Sequence, residues 1–154
     1  MLATTLLVVA AMLVAAAISD LRRLWIPDFY ALGIALAYGV AATQQTWQVA
    51  LGGVGTAALV FGAGLALFAR GWFGGGDVKL LTSVALWAGP GGIADLLFDC
   101  ALAGAVLALV MLAQLRWRTP AAWRVHAPLQ QSMPFGVAIA AAGLLLMTSR
   151  WPAA

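Results

Sequence analysis

Gly74-Gly75-Gly76-Asp77-Val78-Lys79 stands where the apolar runs 47–69 and 77–93 meet. Three consecutive glycines interrupt any helical pattern, and the aspartate that follows opens a new apolar segment. Working outward, four more runs of similar character appear at 2–18, 28–43, 95–115 and 133–150. Hydrophobic residues make up 64% of the 154-residue chain and charged residues only 8%. Lipid is therefore the solvent for most of it. The expected fold class is all-α: a polytopic membrane protein of about six transmembrane helices, residues 1–154 forming one membrane-embedded domain.

Composition excludes several function classes. A mean hydropathy of +1.00 rules out an ordinary soluble globule. The pI near 9.8 reflects arginines at the ends of apolar runs, not a nucleic-acid footprint, and no nucleic acid is expected as a partner. Cys100 is the single cysteine, which rules out an intrachain disulfide or a multi-cysteine zinc site. It reads as a small core residue. No metal and no cofactor are expected. The first apolar run lacks a basic n-region and is read as a retained membrane helix, not as a cleaved signal.

The cationic residues divide unevenly. Arg22 and Arg23 fall in the first connection, Arg70 and Lys79 at the third, and Arg116, Arg118 and Arg124 in the fifth. Only Arg150 falls on the other side. This bias places the odd connections in the cytoplasm and both termini outside. Asp20 and Asp77 then share the cytoplasmic side. Trp25, Trp47, Trp72, Trp87, Trp117, Trp123 and Trp151 lie near segment ends and read as interface anchors.

Ionisable residues at membrane-helix ends are candidate functional groups. Ahead of Asp77, glycines permit close backbone approach and unusual φ/ψ, and their N–H groups can hold an oxyanion. The competing reading of Asp77 is an N-cap. Asp20 closes the first run beside Arg22 and Arg23, where a negative charge opposes the helix dipole. Two carboxylates in close range cannot easily both ionise. One can activate water while the other protonates a carbonyl and then a leaving amine. Asp28, after Ile26-Pro27, reads as a helix cap. Asp95 and Asp99, spaced i,i+4, are a rival pair on the outer side without a glycine turn. Lys79 either snorkels to the surface or tunes Asp77. His126 reads as a solvated or headgroup-facing residue. The segment from Val78 to Ala88 gives about 17 Å of helix, against about 30 Å of hydrocarbon. Either the helix continues through Gly89-Pro90-Gly91-Gly92 or the glycine turn dips into the membrane.

At these residues the chain resembles the type IV prepilin peptidases, membrane aspartyl proteases with a GxGD motif. Asp20-Leu21-Arg22 through Ile26-Pro27 is similar to the pattern D-x-R-x-x-x-I-P. Gly74 through Leu81 is similar to GxGDxKLL, and Pro134-Phe135-Gly136 to a late P-[FY]-G segment. The resemblance implies that Asp20 and Asp77 form a catalytic dyad. It also implies that Gly74 and Gly76 shape the second half of the site. Lys79, Pro134, Phe135 and Gly136 belong to the supporting architecture. It implies cleavage of the basic leader from a type IV prepilin or pseudopilin precursor, at the cytoplasmic face of the inner membrane. Long relatives carry paired C-x-x-C motifs in an N-terminal insert linked to N-methylation. This chain has neither, which points to the short, peptidase-only branch of Flp (tight-adherence) pili. Two other readings compete: a GxGD protease acting on another class of membrane substrate, and a non-catalytic subunit of a pilus or transport assembly.

Overall fold

The computed structural model describes residues 2–118 and 133–150. They form helices α1 (Leu2–Arg23), α2 (Asp28–Ala42), α3 (Trp47–Ala69), α4 (Gly75–Arg118) and α5 (Phe135–Arg150), with no strand among the described residues. α1, α3 and α4 are each long and apolar enough to cross a membrane, and α2 and α5 are shorter apolar helices. The protein is an all-helical polytopic membrane protein.

α4 is two helices joined end to end. Gly89 takes φ 59° and ψ −174°, outside helical space, and Pro90 starts the second half. Positive φ carries little penalty without a Cβ. Proline suits the first position of a helix because its missing N–H would lack an intrahelical partner anyway. The boundary expected between 93 and 95 therefore falls at Gly89, and the six expected apolar segments become five helices, one of them broken.

The break reverses the chain. A Cβ on Gly104 would stand 2.7 Å from Phe135 Cε2. The Phe135 ring lies 5.1 Å from that of Phe73. An unbroken helix would carry Gly104 about 40 Å beyond Gly76. The second half of α4 therefore runs back beside the first, and residues 105–118 continue past the level of the glycine triplet.

Because lipid tails are as apolar as leucine, close packing and internal hydrogen bonds hold such a bundle together. α4 is its centre, touching α2, α3 and α5, while α1 packs on α2 and α5. α3 turns Gly53, Thr56, Ala57 and Gly64 inward. A Cβ on Gly64 would lie 2.8 Å from Val78 Cγ1, and one on Gly53 would lie 2.6 Å from the Leu86 carbonyl oxygen. α3 ends where Gly71, at φ 73°, lets its own N–H and that of Trp72 bond back to the Phe68 and Leu67 carbonyls.

Leu13, Ile34, Leu80, Val84, Leu96 and Ile139 are fully buried between the helices, and Cys100 joins this core as expected. Trp25, Trp47 and Trp72 are exposed, as interface anchors would be. Trp87 is not such an anchor. Its indole N–H donates to the Ile34 carbonyl at 3.1 Å, and its ring meets Tyr38 edge-on at 5.6 Å. Tyr38 in turn donates to the Ala50 carbonyl at 3.0 Å. The side chains of Arg116, Trp117, Arg118 and Arg150 lie outside the described structure, as do Trp123, Arg124, His126 and Trp151 altogether.

The glycine face of α3 sets the distance to α4. Gly53→Val should destabilise the bundle by about 1–3 kcal/mol through overpacking. Gly55→Val, whose added atoms meet nothing within 4 Å, should leave the melting temperature nearly unchanged. Thermal circular dichroism of the two variants in detergent checks this difference.

Candidate functional site

α1 does not stop at Ile18 but continues to Arg23. Asp20 thus sits in its last turn. The helix closes when Leu24, at φ 50°, donates its N–H to the Asp20 carbonyl at 2.8 Å. A leucine in left-handed space costs about 1–2 kcal/mol. The chain beyond is held by Ser19 Oγ, which donates to the Trp25 carbonyl at 2.9 Å. This tight exit turns Ile26 back under the bundle.

The side chain of Asp20 is buried, 5% exposed. The backbone amides of Gly136 and Val137 face its carboxyl group. Gly136 and Val137 lie in the first turn of α5, so a carboxylate placed at the unfavourable end of one helix meets the favourable end of another. Oδ2 has no hydrogen-bond partner among the described residues. A buried acceptor left open in this way is costly unless something fills it.

Asp77 lies in the first turn of α4, three positions after Gly74, so it is not the cap residue itself. Its carboxylate reaches back to the Gly74 backbone N–H, while Val78 N–H bonds the Gly74 carbonyl at 3.1 Å. This is the returning half of a capping box. Asp77 is only partly buried, and it stands close enough to Asp20 for the two charges to repel.

The glycines act by absence of bulk. Gly71 and Gly89 are the described glycines with positive φ, so the unusual φ/ψ expected for the triplet is not used. Gly75 and Gly76 are ordinary helical residues. A Cβ on Gly76 would stand 3.2 Å from Ile26 Cβ. One on Gly136 would stand 2.5 Å from Ile26 Cδ1 and 2.8 Å from Asp20 Oδ2. Ile26, 5% exposed, is thus wedged between the helix that carries Asp77 and the helix whose amides face Asp20. On Gly74 a Cβ would crowd Asp77 Oδ2 at 2.8 Å. Phe135 fills the notch at Gly104 and stacks edge-on with Phe73 at 69°. Pro134 precedes α5 and accepts from Val137 N–H at 3.2 Å.

Asp20, Asp77, Gly74, Gly76, Pro134, Phe135 and Gly136 therefore gather at one end of the bundle. Lys79 does not turn toward Asp77. Its Nζ meets Asp28 Oδ2 at 2.7 Å, with side-chain exposures of 49% and 73%. Asp28 begins α2 without capping it; Pro27 is the cap residue and makes no side-chain cap bond. The rival pair is elsewhere. Asp95 and Asp99 line a cavity with Leu145, Thr148 and Ser149, toward the far end of α5 from Gly136. Another cavity, of about 380 Å³, lies between Tyr38, Gln48, Trp87 and Pro90 and contains no carboxylate. Sequence reasoning missed two site residues. In the sequence Ile26 stands only as a member of the D-x-R-x-x-x-I-P stretch with no role of its own, and Asp28 reads as a cap. The signal for both is relational: Ile26 matters because of glycines 50 and 110 positions away, and Asp28 because of Lys79.

Two carboxylates contributed by separate helices lie at one end of a membrane-spanning bundle, an arrangement in which the protein itself could supply both an acid and a base. The chain belongs to the type IV leader peptidase family, whose model matches residues 7–109; it is a peptidase. The matched span contains Asp20, Ile26, Gly74, Gly76, Asp77 and Lys79 and ends before the Pro134-Phe135-Gly136 segment. No curated protein and no solved structure is similar enough to count as a match.

The Asp28–Lys79 pair clasps α2 to α4 beside the Ile26 contact. Partly exposed ion pairs contribute about 0.2–1 kcal/mol. Asp28→Lys and Lys79→Asp should each lower the melting temperature slightly, and the exchanged double variant should recover most of the loss. Failure of the exchange to recover stability would show that the clasp contributes nothing.

Proposed function

We propose that this protein is an aspartic endopeptidase that removes the basic leader from type IV, Flp-like prepilins or pseudopilins. Its site would face the cytoplasm from the inner membrane. The observation that carries the reading is the placement of Asp20 and Asp77 within electrostatic reach of each other at one end of the bundle, beside the contacts of Gly76 and Gly136 with Ile26.

The chemistry follows from the pair. With one carboxyl ionised and its neighbour protonated, the carboxylate takes a proton from water as its oxygen attacks the scissile carbonyl carbon. The carboxylic acid donates to the carbonyl oxygen, and a tetrahedral intermediate forms. Its collapse breaks the C–N bond, and the proton held by the first carboxyl passes to the leaving amine. Asp20 is buried and braced by α5, whereas Asp77 is more open and flanked by Gly74, Gly75 and Gly76. A substrate backbone would approach from the Asp77 side, where the glycines present no side chain. Asp20 Oδ2, which has no hydrogen-bond partner among the described residues, keeps capacity to accept from water.

Arg22, Arg23 and Arg70 lie at this same end and support a cytoplasmic orientation. A leader that is itself basic would remain on that side, with the apolar pilin segment in the bilayer. The scissile bond between them would then reach the level of the two aspartates. Partners are thus the precursor and the bilayer; catalysis uses the two side chains and water.

Co-expression with a candidate Flp-like prepilin, read by the mass of the mature N-terminus, tests this function. Asp20→Asn and Asp77→Asn should each abolish cleavage while leaving membrane insertion intact. Asp95→Asn and Asp99→Asn should process normally. Unimpaired processing by Asp77→Asn would contradict the aspartic mechanism and leave the non-catalytic reading standing.

A second measurement concerns orientation. Single cysteines near Arg22 and Arg70, in a Cys100→Ala background, should label only when the cytoplasmic face is accessible. A cysteine near Gln45 should label from outside. The reverse pattern would put the site on the wrong side for a cytoplasmic leader.

A further inference from the structure

Beside the site, and not part of it, a groove of about 760 Å³ runs between the end of α1 and the start of α2. Its lining combines the exposed Arg22 and Arg23 with the apolar Ala15, Ile18 and Phe29, and Trp25 and Tyr30 also line it. Among the described residues, neither arginine has an ion-pair partner. Asp28 also lines the groove, but its charge is matched by Lys79 at 2.7 Å. The groove therefore presents two guanidinium groups without ion-pair partners alongside apolar side chains, at a helix end where a membrane surface must lie.

The geometry points to a binding site for an anionic phospholipid in this groove. Arginine offers planar, bidentate donors to phosphate oxygens and remains charged at every relevant pH. An acyl chain lies naturally against Ile18 and Phe29, which are 45% and 59% exposed. The exposed Trp25 indole suits the level of the headgroup. A free phosphate ion would use the arginines but has no use for the apolar wall, which is why the lipid is the favoured occupant. A zwitterionic lipid brings its own cation and gains less from two arginines. Because Asp20 is one turn or less from both arginines, an occupied groove would also place a fixed negative charge next to the peptidase site.

The test is lipid retention, read independently of cleavage. The full-length protein is reconstituted into nanodiscs of equal parts phosphatidylglycerol and phosphatidylcholine and extracted in mild detergent. Bound lipid is then identified by native mass spectrometry. Phosphatidylglycerol should be retained selectively. Arg22→Gln/Arg23→Gln should weaken its binding about 30-fold, taking roughly one surface charge's worth of attraction per arginine. Arg70→Gln, outside the groove, should not change it. Ile18→Ser, which keeps both arginines, should weaken retention by loss of the apolar wall, and this second variant keeps the test open if the double variant misfolds. Equal retention of the two lipids, or unchanged retention in the double variant, would overturn the proposal. Complete displacement of phosphatidylglycerol by inorganic phosphate, with Ile18→Ser unchanged, would also overturn it by showing an ion site instead.

Discussion

The site depends on the contact that Ile26 makes with two glycines. Gly76 and Gly136 belong to different helices, and each lies against Ile26 at a distance where an added Cβ would crowd it. On one side of that contact is Asp77, next in sequence to Gly76. On the other are the amides that face Asp20. The first carboxylate is thus positioned through α5 and the second through α4, and a buried isoleucine sets their spacing. Under the proposed mechanism such placement would matter, because catalytic groups lose effectiveness steeply when displaced. A side chain with few rotamers, held on two sides, meets that requirement better than a flexible one.

The helix dipoles give the arrangement an electrical logic. A carboxylate in the last turn of α1 is in an unfavourable field, and Asp20 would be a liability if α1 stood alone. The start of α5 reverses the sign by aiming its first-turn amides at the same group. Asp77 in the first turn of α4 is in a favourable field from its own helix. Both acids therefore end up facing helix N-termini, one its own and one borrowed. In lipid, where unsatisfied polar groups are costly, this is an economical way to keep two carboxylates in place.

The apolar segments, the charge bias and the nearness of both aspartates to helix ends were all legible in the amino-acid sequence, because each depends on residues close together in the chain. The glycine triplet was legible as an unusual feature but was misread in its mechanism. Three glycines suggest unusual φ, yet Gly75 and Gly76 are helical, and what Gly76 supplies is room for Ile26. Gly89 carried the unusual φ instead, one residue before the Pro90 that restarts the helix. Trp87 looked like the other tryptophans and differs only because Ile34 and Tyr38 come to it across the bundle. Asp28 and Lys79 are 51 positions apart, and no local pattern pairs them. Features that need two distant segments to meet were therefore the ones a linear reading could not reach.

The same contact explains why the segments that resemble one family lie so far apart in the chain. The Ile26-Pro27 stretch, the glycine triplet and the Pro134-Phe135-Gly136 turn are three sides of one packing unit, with Phe73 and Gly104 holding Phe135 in place. The most direct measurement is the cleavage of a leader-bearing pilin precursor by Ile26→Ala. The exposed Leu21→Ala serves as a control, and helix content is followed in both. Ile26→Ala should retain its helices yet lose most of its cleavage rate, while Leu21→Ala cleaves normally. Full activity in a folded Ile26→Ala variant would contradict the claim that this side chain sets the spacing of the two carboxylates.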